Sequence, residues 1–354
     1  MSKRIAMMTG GGDCPGLNAV IRAVTRRALM DGWEVIGFRN GWAGVIKGDY
    51  ISLDRQRVAD ILPIGGTILG TSRTNPTDEQ IAAIADNLKK LGVTTLVAIG
   101  GDDTLSVASR LHKNGLPVIG VPKTIDNDIA GTDQTFGFDT AVNIATEAID
   151  RVHTTAESHS RVLIVEIMGR QAGWIALYAG LAGGADVVLL PEFSMTLDEI
   201  CKTIKARRAT GKNYSIVAVA EGFKLGDDSV LQTKKLDSFG HVRLGGIAER
   251  LCKDIEKATG IESRSVVLGH TQRGGTPTAF DRVLSTRYGV KAAELAISGQ
   301  TGKMVALRGT DVVGVDFDSV ITEQIDKKTG KSKLRMGNRN VPKELYDVAK
   351  VFFG

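Results

Sequence analysis

The sequence predicts an α/β protein in two domains, each built on a parallel sheet with helices on both faces. Three observations lead there. Short apolar runs rich in Val and Ile alternate with longer runs of helical spacing. The short runs are apolar almost throughout, as strands buried on both faces require. The chain has 354 residues, and at roughly 150 residues per domain that length suits about two cores.

The elements follow in order. Residues 4–9 form the first strand and run into a glycine loop. Leu17, Val20, Ile21, Val24 and Ala28 then give 17–30 the stripe of an amphipathic helix. Further strands are predicted at 34–38, 95–99, 117–121, 161–166, 187–190, 215–220, 265–268 and 304–307. Helices are predicted at 78–91, 104–114, 138–155, 171–182, 197–210, 245–259 and 278–298. Residues 221–245 are polar and read as an insertion or hairpin. Residues 326–339 carry Lys327, Lys328, Lys331, Lys333, Arg335 and Arg339 and read as a solvated surface hairpin or loop.

Composition narrows the function classes. Hydrophobic residues are 42% and charged residues 24%, as in ordinary globular chains. The 42 glycines gather in loops without a period, which excludes collagen, and 8 prolines do not make a disordered linker. No stretch approaches ~18 apolar residues, so no transmembrane helix is expected. The apolar run after Lys3-Arg4 is too short for a signal-peptide core of ~7–15 residues. Cys14, Cys201 and Cys252 show no CxxC spacing, which argues against a disulfide framework or zinc site and fits a reducing cytoplasm. The net charge of +5 suits small anionic substrates at least as well as nucleic acid. Without a dense basic block, neither nucleic acid nor membrane is expected as a partner.

In open parallel sheets, ligands sit outside the carboxyl ends of the strands. Polar loops at 10–13, 100–104, 122–128, 169–171, 221–222 and 269–273 fall there, implying one extended cleft between two domains. Gly10-Gly11-Gly12-Asp13-Cys14-Pro15-Gly16 joins a strand to a helix, where glycine lets backbone N–H groups approach a phosphate. A tight strand–helix turn accounts for it equally well. Its spacing is not G-x-G-x-x-G, because Pro15 takes the last required glycine. Gly100-Gly101-Asp102-Asp103-Thr104 admits a phosphate chain and offers a carboxylate that can hold Mg²⁺ bridging its oxygens. Helix capping explains Asp103 or Thr104, but not adjacent carboxylates behind paired glycines. Pro122-Lys123-Thr124-Ile125-Asp126-Asn127-Asp128 puts a cation, a hydroxyl and carboxylates in one loop. A base that deprotonates a sugar hydroxyl needs such a carboxylate near metal and phosphates. Asp126 and Asp128 face the same way if the segment is extended; an Asx turn is the plainer account. Arg73, Arg161, Arg170 and Arg273 stand at strand or loop ends and Arg264 before a strand, where the guanidinium fork matches phosphate oxygens.

At these residues the sequence resembles the phosphofructokinase family over nearly its whole length, through GGDCPGLNAVIR, GGDDT, PKTIDND, GTDQTFGFDTA, MGRQAGW and LGHTQRGG. The resemblance implies two Rossmann-like three-layer α/β/α domains with the active site in the cleft between them. The larger, 1–137 plus 271–303, would take the phosphoryl donor and Mg²⁺; the smaller, 138–270 plus 304–354, would take the sugar phosphate. It implies a cytoplasmic, glycolytic phosphotransferase acting on fructose 6-phosphate. By position, Asp126 is the general base and Asp102 the Mg²⁺ ligand. Gly11, Gly12, Arg73, Gly101, Asp103, Thr104 and Lys123 lie on the donor side. Thr124, Asp128, Met168, Gly169, Glu221, His270 and Arg273 lie on the sugar-phosphate side. Arg170, Thr124 and Lys123 join Asp126 in catalysis. Arg161 and Arg264 match arginines that reach the 6-phosphate from a neighbouring subunit, which implies a homodimer or homotetramer with shared sites.

Asp103 and Lys123 depart from the ATP-using pattern, which has glycine at both places, and resemble the pyrophosphate-dependent branch. A carboxylate about 4 Å from a nucleotide's α-phosphate would cost ~4 kcal/mol at an effective dielectric near 20, roughly a thousandfold in affinity. The Lys123 side chain would fill nucleotide space and cap the terminal phosphate. ATP-dependent phosphofructokinase of the same fold is the alternative. Lipid and NAD kinases share only the GGDG[ST] loop, and a non-catalytic sugar-phosphate sensor should lack Asp126 or Asp102. The effector pocket of allosteric relatives is partly kept at Arg22, Arg26 and Arg55, but His153 and Asp186 replace an arginine and a glutamate, so weak allostery is expected.

Overall fold

The computed structural model describes residues 3–226, 233–236, 242–243, 245–325 and 332–354. The chain runs β1 (Arg4–Thr9), α1 (Leu17–Met30), β2 (Glu34–Phe38), α2 (Trp42–Lys47), β3 (Tyr50–Ser52), α3 (Asp78–Lys90), β4 (Thr95–Gly100), α4 (Asp102–Lys113) and β5 (Val118–Pro122). It continues through α5 (Phe138–His159), β6 (Val162–Ile167), α6 (Trp174–Ala182), β7 (Val187–Leu189), α7 (Leu197–Ala209), β8 (Ser215–Ala220), β9 (Thr233–Leu236), β10 (Val242–Arg243), α8 (Ile247–Thr259) and β11 (Ser263–Val267). After a 3₁₀ turn at Gly269–Arg273 come α9 (Ala279–Ile297), β12 (Lys303–Arg308), β13 (Asp311–Asp316), α10 (Phe317–Val320), β14 (Ile321–Ile325), β15 (Ser332–Met336) and α11 (Lys343–Lys350).

The chain divides into two compact units. Unit 1 comprises Met1–Ile125, Ile129–Asp139 and Arg273–Asn338. Its sheet has the order β13-β12-β5-β4-β1-β2-β3, parallel except for β3 and β13 at its edges. Alternate strand residues Ala6, Met8, Phe38, Leu96 and Ala98 pack with Ile84 and Leu88 of α3 and Leu105 and Leu111 of α4. Helices α1 and α9 lie together on the opposite face, where Ile5, Met7 and Val97 point. Because β5, β4 and β1 are neighbours in parallel register, Thr9↔Ile99 and Gly100↔Pro122, their three carboxyl-end loops emerge side by side. The sequence reading assigns 304–354 to the smaller domain. Residues 304–338 lie instead in unit 1, because β12 adds to β5 in parallel and carries β13 with it.

Unit 2 comprises Asp126–Asp128, Thr140–Gln272 and Arg339–Gly354. Its parallel sheet, β11-β6-β8-β7, buries Val162, Ile164, Val217 and Val219 against Ile200 and Ile204 of α7 and Leu251 and Ile255 of α8. The buried Glu166 of β6 accepts N–H bonds from Gly246 (3.2 Å) and Ala248 (3.0 Å), so its charge meets the positive end of α8. Of the polar segment 221–245, a β9–β10 hairpin is described, and the rest beyond 226 lies outside the described residues apart from Gly245. Among the described residues, no helix is long and apolar enough to cross a membrane.

Candidate active site

Unit 1 gathers the predicted donor residues at the ends of β1, β4 and β5. Gly11 has φ +77, a conformation that favours glycine. Gly10 presses on α4: a Cβ there would stand 2.6 Å from Thr104 Oγ1. Lys123 is buried, and its ammonium donates to the carbonyl of Gly12. Arg273 Nη1 donates to the carbonyl of Asp13 at 3.3 Å, which sets this guanidinium against the glycine loop. The Thr71 hydroxyl holds the Gly11 carbonyl at 2.6 Å and the Gly11 N–H meets the Ser72 carbonyl at 3.3 Å, so the stretch leading to the exposed Arg73 lies along the same loop. Gly101 caps α4, whose first turn carries Asp102 and Asp103. Two cationic side chains and the N-terminus of a 12-residue helix around a glycine loop gather positive charge of the kind that suits an anion.

Both acidic residues of α4 are held from far along the chain. Asp102 Oδ1 accepts from the Met336 N–H (2.8 Å) and the Ser106 hydroxyl (3.0 Å), while Oδ2 meets Arg335 Nη1 at 2.9 Å. The same nitrogen stands 2.6 Å from Asp103 Oδ1. Burial opposes the Arg335 charge, but Asp102 and Asp103 outweigh it and hold the guanidinium above its ordinary value. Two expectations change here. The basic stretch 326–339 is not wholly a solvated loop: Arg335 is an ion-pair partner and only 18% exposed. Lys327, Lys328 and Lys331 lie outside the described residues. The charge of Asp103 is also offset by a cation, so its repulsion of a nucleotide is weaker than a bare carboxylate would exert.

The Asp102 side chain is 42% exposed, and its Oδ2 has room for a second partner besides Arg335. That suits Mg²⁺, which takes one or two carboxylates together with phosphate oxygens and water. Among the described residues, no group of three or more His, Cys, Asp or Glu could enclose a metal alone.

Unit 2 holds the predicted base and most of the predicted sugar-phosphate residues, whereas Arg273, read as one of them, belongs to unit 1. Asn127 is buried with φ +53, so the 126–128 loop is kinked and the premise of an extended strand fails for Asp126 and Asp128. Arg339 pins this loop. Its N–H donates to the Asp128 carbonyl at 2.7 Å, and its Nη1 to the Asn127 carbonyl at 3.3 Å. The guanidinium lies 4.1 Å from the Trp174 ring centroid, and the indole N–H donates back to the Arg339 carbonyl at 2.8 Å. Burial, and then the charge of Asp126, lift Glu221 to about 7, so this carboxyl holds its proton well above the ordinary carboxylate range and titrates near neutral pH. Its Oε1 faces the N–H of Gly169 at 3.4 Å; Gly169 has φ +141, and a Cβ there would meet the Ala172 carbonyl at 2.8 Å. Met168 N–H meets Gln272 Oε1 at 3.3 Å, and Arg170 and His270 are exposed. Thr124 belongs to unit 1, where its carbonyl accepts from the Thr135 hydroxyl at 2.8 Å. Arg161 and Arg264 both clasp Glu262, the former at 2.7 Å. Asp186 pairs with Arg207 at 2.9 Å. Sequence reading missed Arg335, Arg339, Trp174 and Ser106; the basic run and the MGRQAGW motif name three of them without indicating their partners.

The phosphofructokinase family model matches residues 4–296. The chain is 55% identical over 358 residues to a pyrophosphate–fructose 6-phosphate 1-phosphotransferase of Streptomyces coelicolor, covering 99% of this chain and 100% of that protein. It is 53% identical over 322 residues to ATP-dependent 6-phosphofructokinase 3 of the same organism, covering 90% of this chain and 94% of that one. A solved structure of Pichia pastoris phosphofructokinase in the T-state aligns with a TM-score of 0.80 at 32% identity, over 90% of this chain and 35% of that chain.

Proposed function

The chain belongs to the phosphofructokinase family, and from that premise we propose that it moves a phosphoryl group reversibly from pyrophosphate to the 1-hydroxyl of fructose 6-phosphate. The products are fructose 1,6-bisphosphate and orthophosphate. Lys123 carries the choice of donor: buried, with its ammonium on the Gly12 carbonyl and 3.6 Å from where a Gly11 side chain would begin, it sets a positive charge into the glycine loop. Bulk and charge there suit a compact anion better than a nucleotide.

In the forward direction the 1-hydroxyl gives its proton to Asp126 as its oxygen bonds to phosphorus. The bridging P–O bond breaks and orthophosphate leaves with the electron pair. In this reading Lys123, Thr124, Arg170 and the N–H groups at the start of α4 stabilise the charge that develops. Gly11, Gly12, Arg73, Gly101 and Thr104 seat the pyrophosphate. Mg²⁺, held by Asp102, would neutralise phosphate oxygens when bound. Met168, Gly169, Asp128, His270 and Arg273 hold the sugar phosphate, and Glu221, in its protonated form below about pH 7, offers it a hydroxyl donor. Arg161 and Arg264 reach the 6-phosphate of a neighbouring copy in a homodimer or homotetramer.

The deciding experiment compares pyrophosphate and ATP as donors for the purified protein, with fructose 6-phosphate as acceptor. Pyrophosphate should support turnover far better; comparable kcat/KM for both would overturn the assignment. ATP-dependent transfer is the second reading, favoured by the Arg335 cation that offsets Asp103.

A further inference from the structure

Arg335 is committed to the donor-loop carboxylates, and no motif marks it. One nitrogen serves both Asp102 Oδ2 (2.9 Å) and Asp103 Oδ1 (2.6 Å). Asp102 Oδ1 already accepts from Met336 and Ser106, which fills its lone-pair positions. A divalent ion at Asp102 must therefore take Oδ2, beside a guanidinium held by the β14–β15 ladder that pairs Ile321 with Met336. Like charges repel at that separation, and the guanidinium also cancels half of the carboxylates' charge. A bare divalent cation gains little from such a site. A divalent cation carrying pyrophosphate is different, because the complex brings anionic oxygens to which a guanidinium fork can bond.

We propose that Arg335 makes metal binding conditional on the anion: it guards Asp102 and Asp103 against a bare divalent cation, and exchanges Asp103 for a pyrophosphate oxygen when metal and pyrophosphate arrive together. Arg335 is thus a positioning residue, acting through the carboxylates and the donor. The inference rests on reading Asp102 as the metal ligand and pyrophosphate as the donor.

The test titrates the full-length protein with Mn²⁺, with and without the non-hydrolysable analogue methylenediphosphonate, and reads free Mn²⁺ by electron paramagnetic resonance. Wild type should bind bare Mn²⁺ weakly and the analogue should tighten it strongly. Arg335→Gln should bind bare Mn²⁺ about tenfold tighter or more, the expected scale for losing one close like charge, and should lose most of the tightening by the analogue. Arg335→Lys, which keeps the charge but not the fork, should fall between, and serves alone if the glutamine variant does not fold. In turnover, KM for pyrophosphate should rise in Arg335→Gln while KM for fructose 6-phosphate stays within a few-fold. Equal bare-Mn²⁺ affinity in wild type and variants would overturn the role of Arg335, even in a protein that uses pyrophosphate. Tighter bare-Mn²⁺ binding in the variant of a protein that cannot use pyrophosphate would support the guarding role and refute the donor reading.

Discussion

Replacing Glu221 by glutamine removes a titration that the fold makes costly. Burial, followed by the Asp126 charge, raises this carboxyl from 4.5 to about 7. A carboxyl raised above its unfolded value keeps its proton longer in the folded state. Its contribution is complete below pH 4.5 and is lost as pH rises through about 7. At 1.36 kcal/mol per unit, the loss comes to about 3 kcal/mol by about pH 8. Glutamine has nearly the same shape, keeps an oxygen for the Gly169 N–H, and does not titrate. Trp174 and Glu221 share unit 2, whereas Trp33 and Trp42 belong to unit 1. Urea unfolding followed by Trp174 fluorescence, with Trp33 and Trp42 changed to phenylalanine in both proteins, therefore reports the relevant unit. Glu221→Gln should gain on its parent by about 3 kcal/mol between about pH 4.5 and 8. KM for fructose 6-phosphate should rise through about pH 7 in the parent, as Glu221 loses its donor proton, and stay flat in the variant. A stability difference that does not change across this range would refute the claim that burial and Asp126 keep the carboxyl protonated.

Three further outcomes follow from the same geometry. Asp126→Ser should lower kcat by ~10²–10⁴ while calorimetric binding of fructose 6-phosphate stays within a few-fold; near-normal turnover would assign the base elsewhere. Trp174→Phe keeps a ring under Arg339 but removes the indole N–H from its carbonyl, so unit 2 should lose about 1 kcal/mol in urea unfolding; no loss would show that this bond does not secure the 126–128 loop. In the cycle of Asp103→Gly, Lys123→Gly and the double variant, ATP kcat/KM should rise more in the double than the single changes combine to give, because both positions act on one ligand. Unchanged ATP use in the double variant would mean that other residues choose the donor.

Local pattern carried the reading furthest where burial runs continuously along a short segment. Strands β1, β2 and β8 and helix α1 have the bounds that their apolar runs predict, 4–9, 34–38, 215–220 and 17–30. Helix α2 and strand β3, with 6 and 3 residues, are too short to show a period and went unseen. Strand β15 lies in the stretch 326–339, which is read by its charge alone, and β14 and α11 have no counterpart in the sequence reading. At the site, the glycine loops and the kinase-like motifs were legible because they meet a local demand: backbone that must approach its neighbours or a phosphate closely admits little but glycine. The partners of those loops answer to a different rule. Arg335 meets Asp103 across 232 positions of chain, and Arg339 meets Asn127 across 212. No periodicity relates residues so far apart; the sheet order and the return of the chain after β13 bring them together. The same holds for Glu221, whose altered proton affinity comes from burial and from a carboxylate on another segment. Residue types and their spacing announce which groups are present for the chemistry, and the folded packing sets each group's charge state and the partner that holds it.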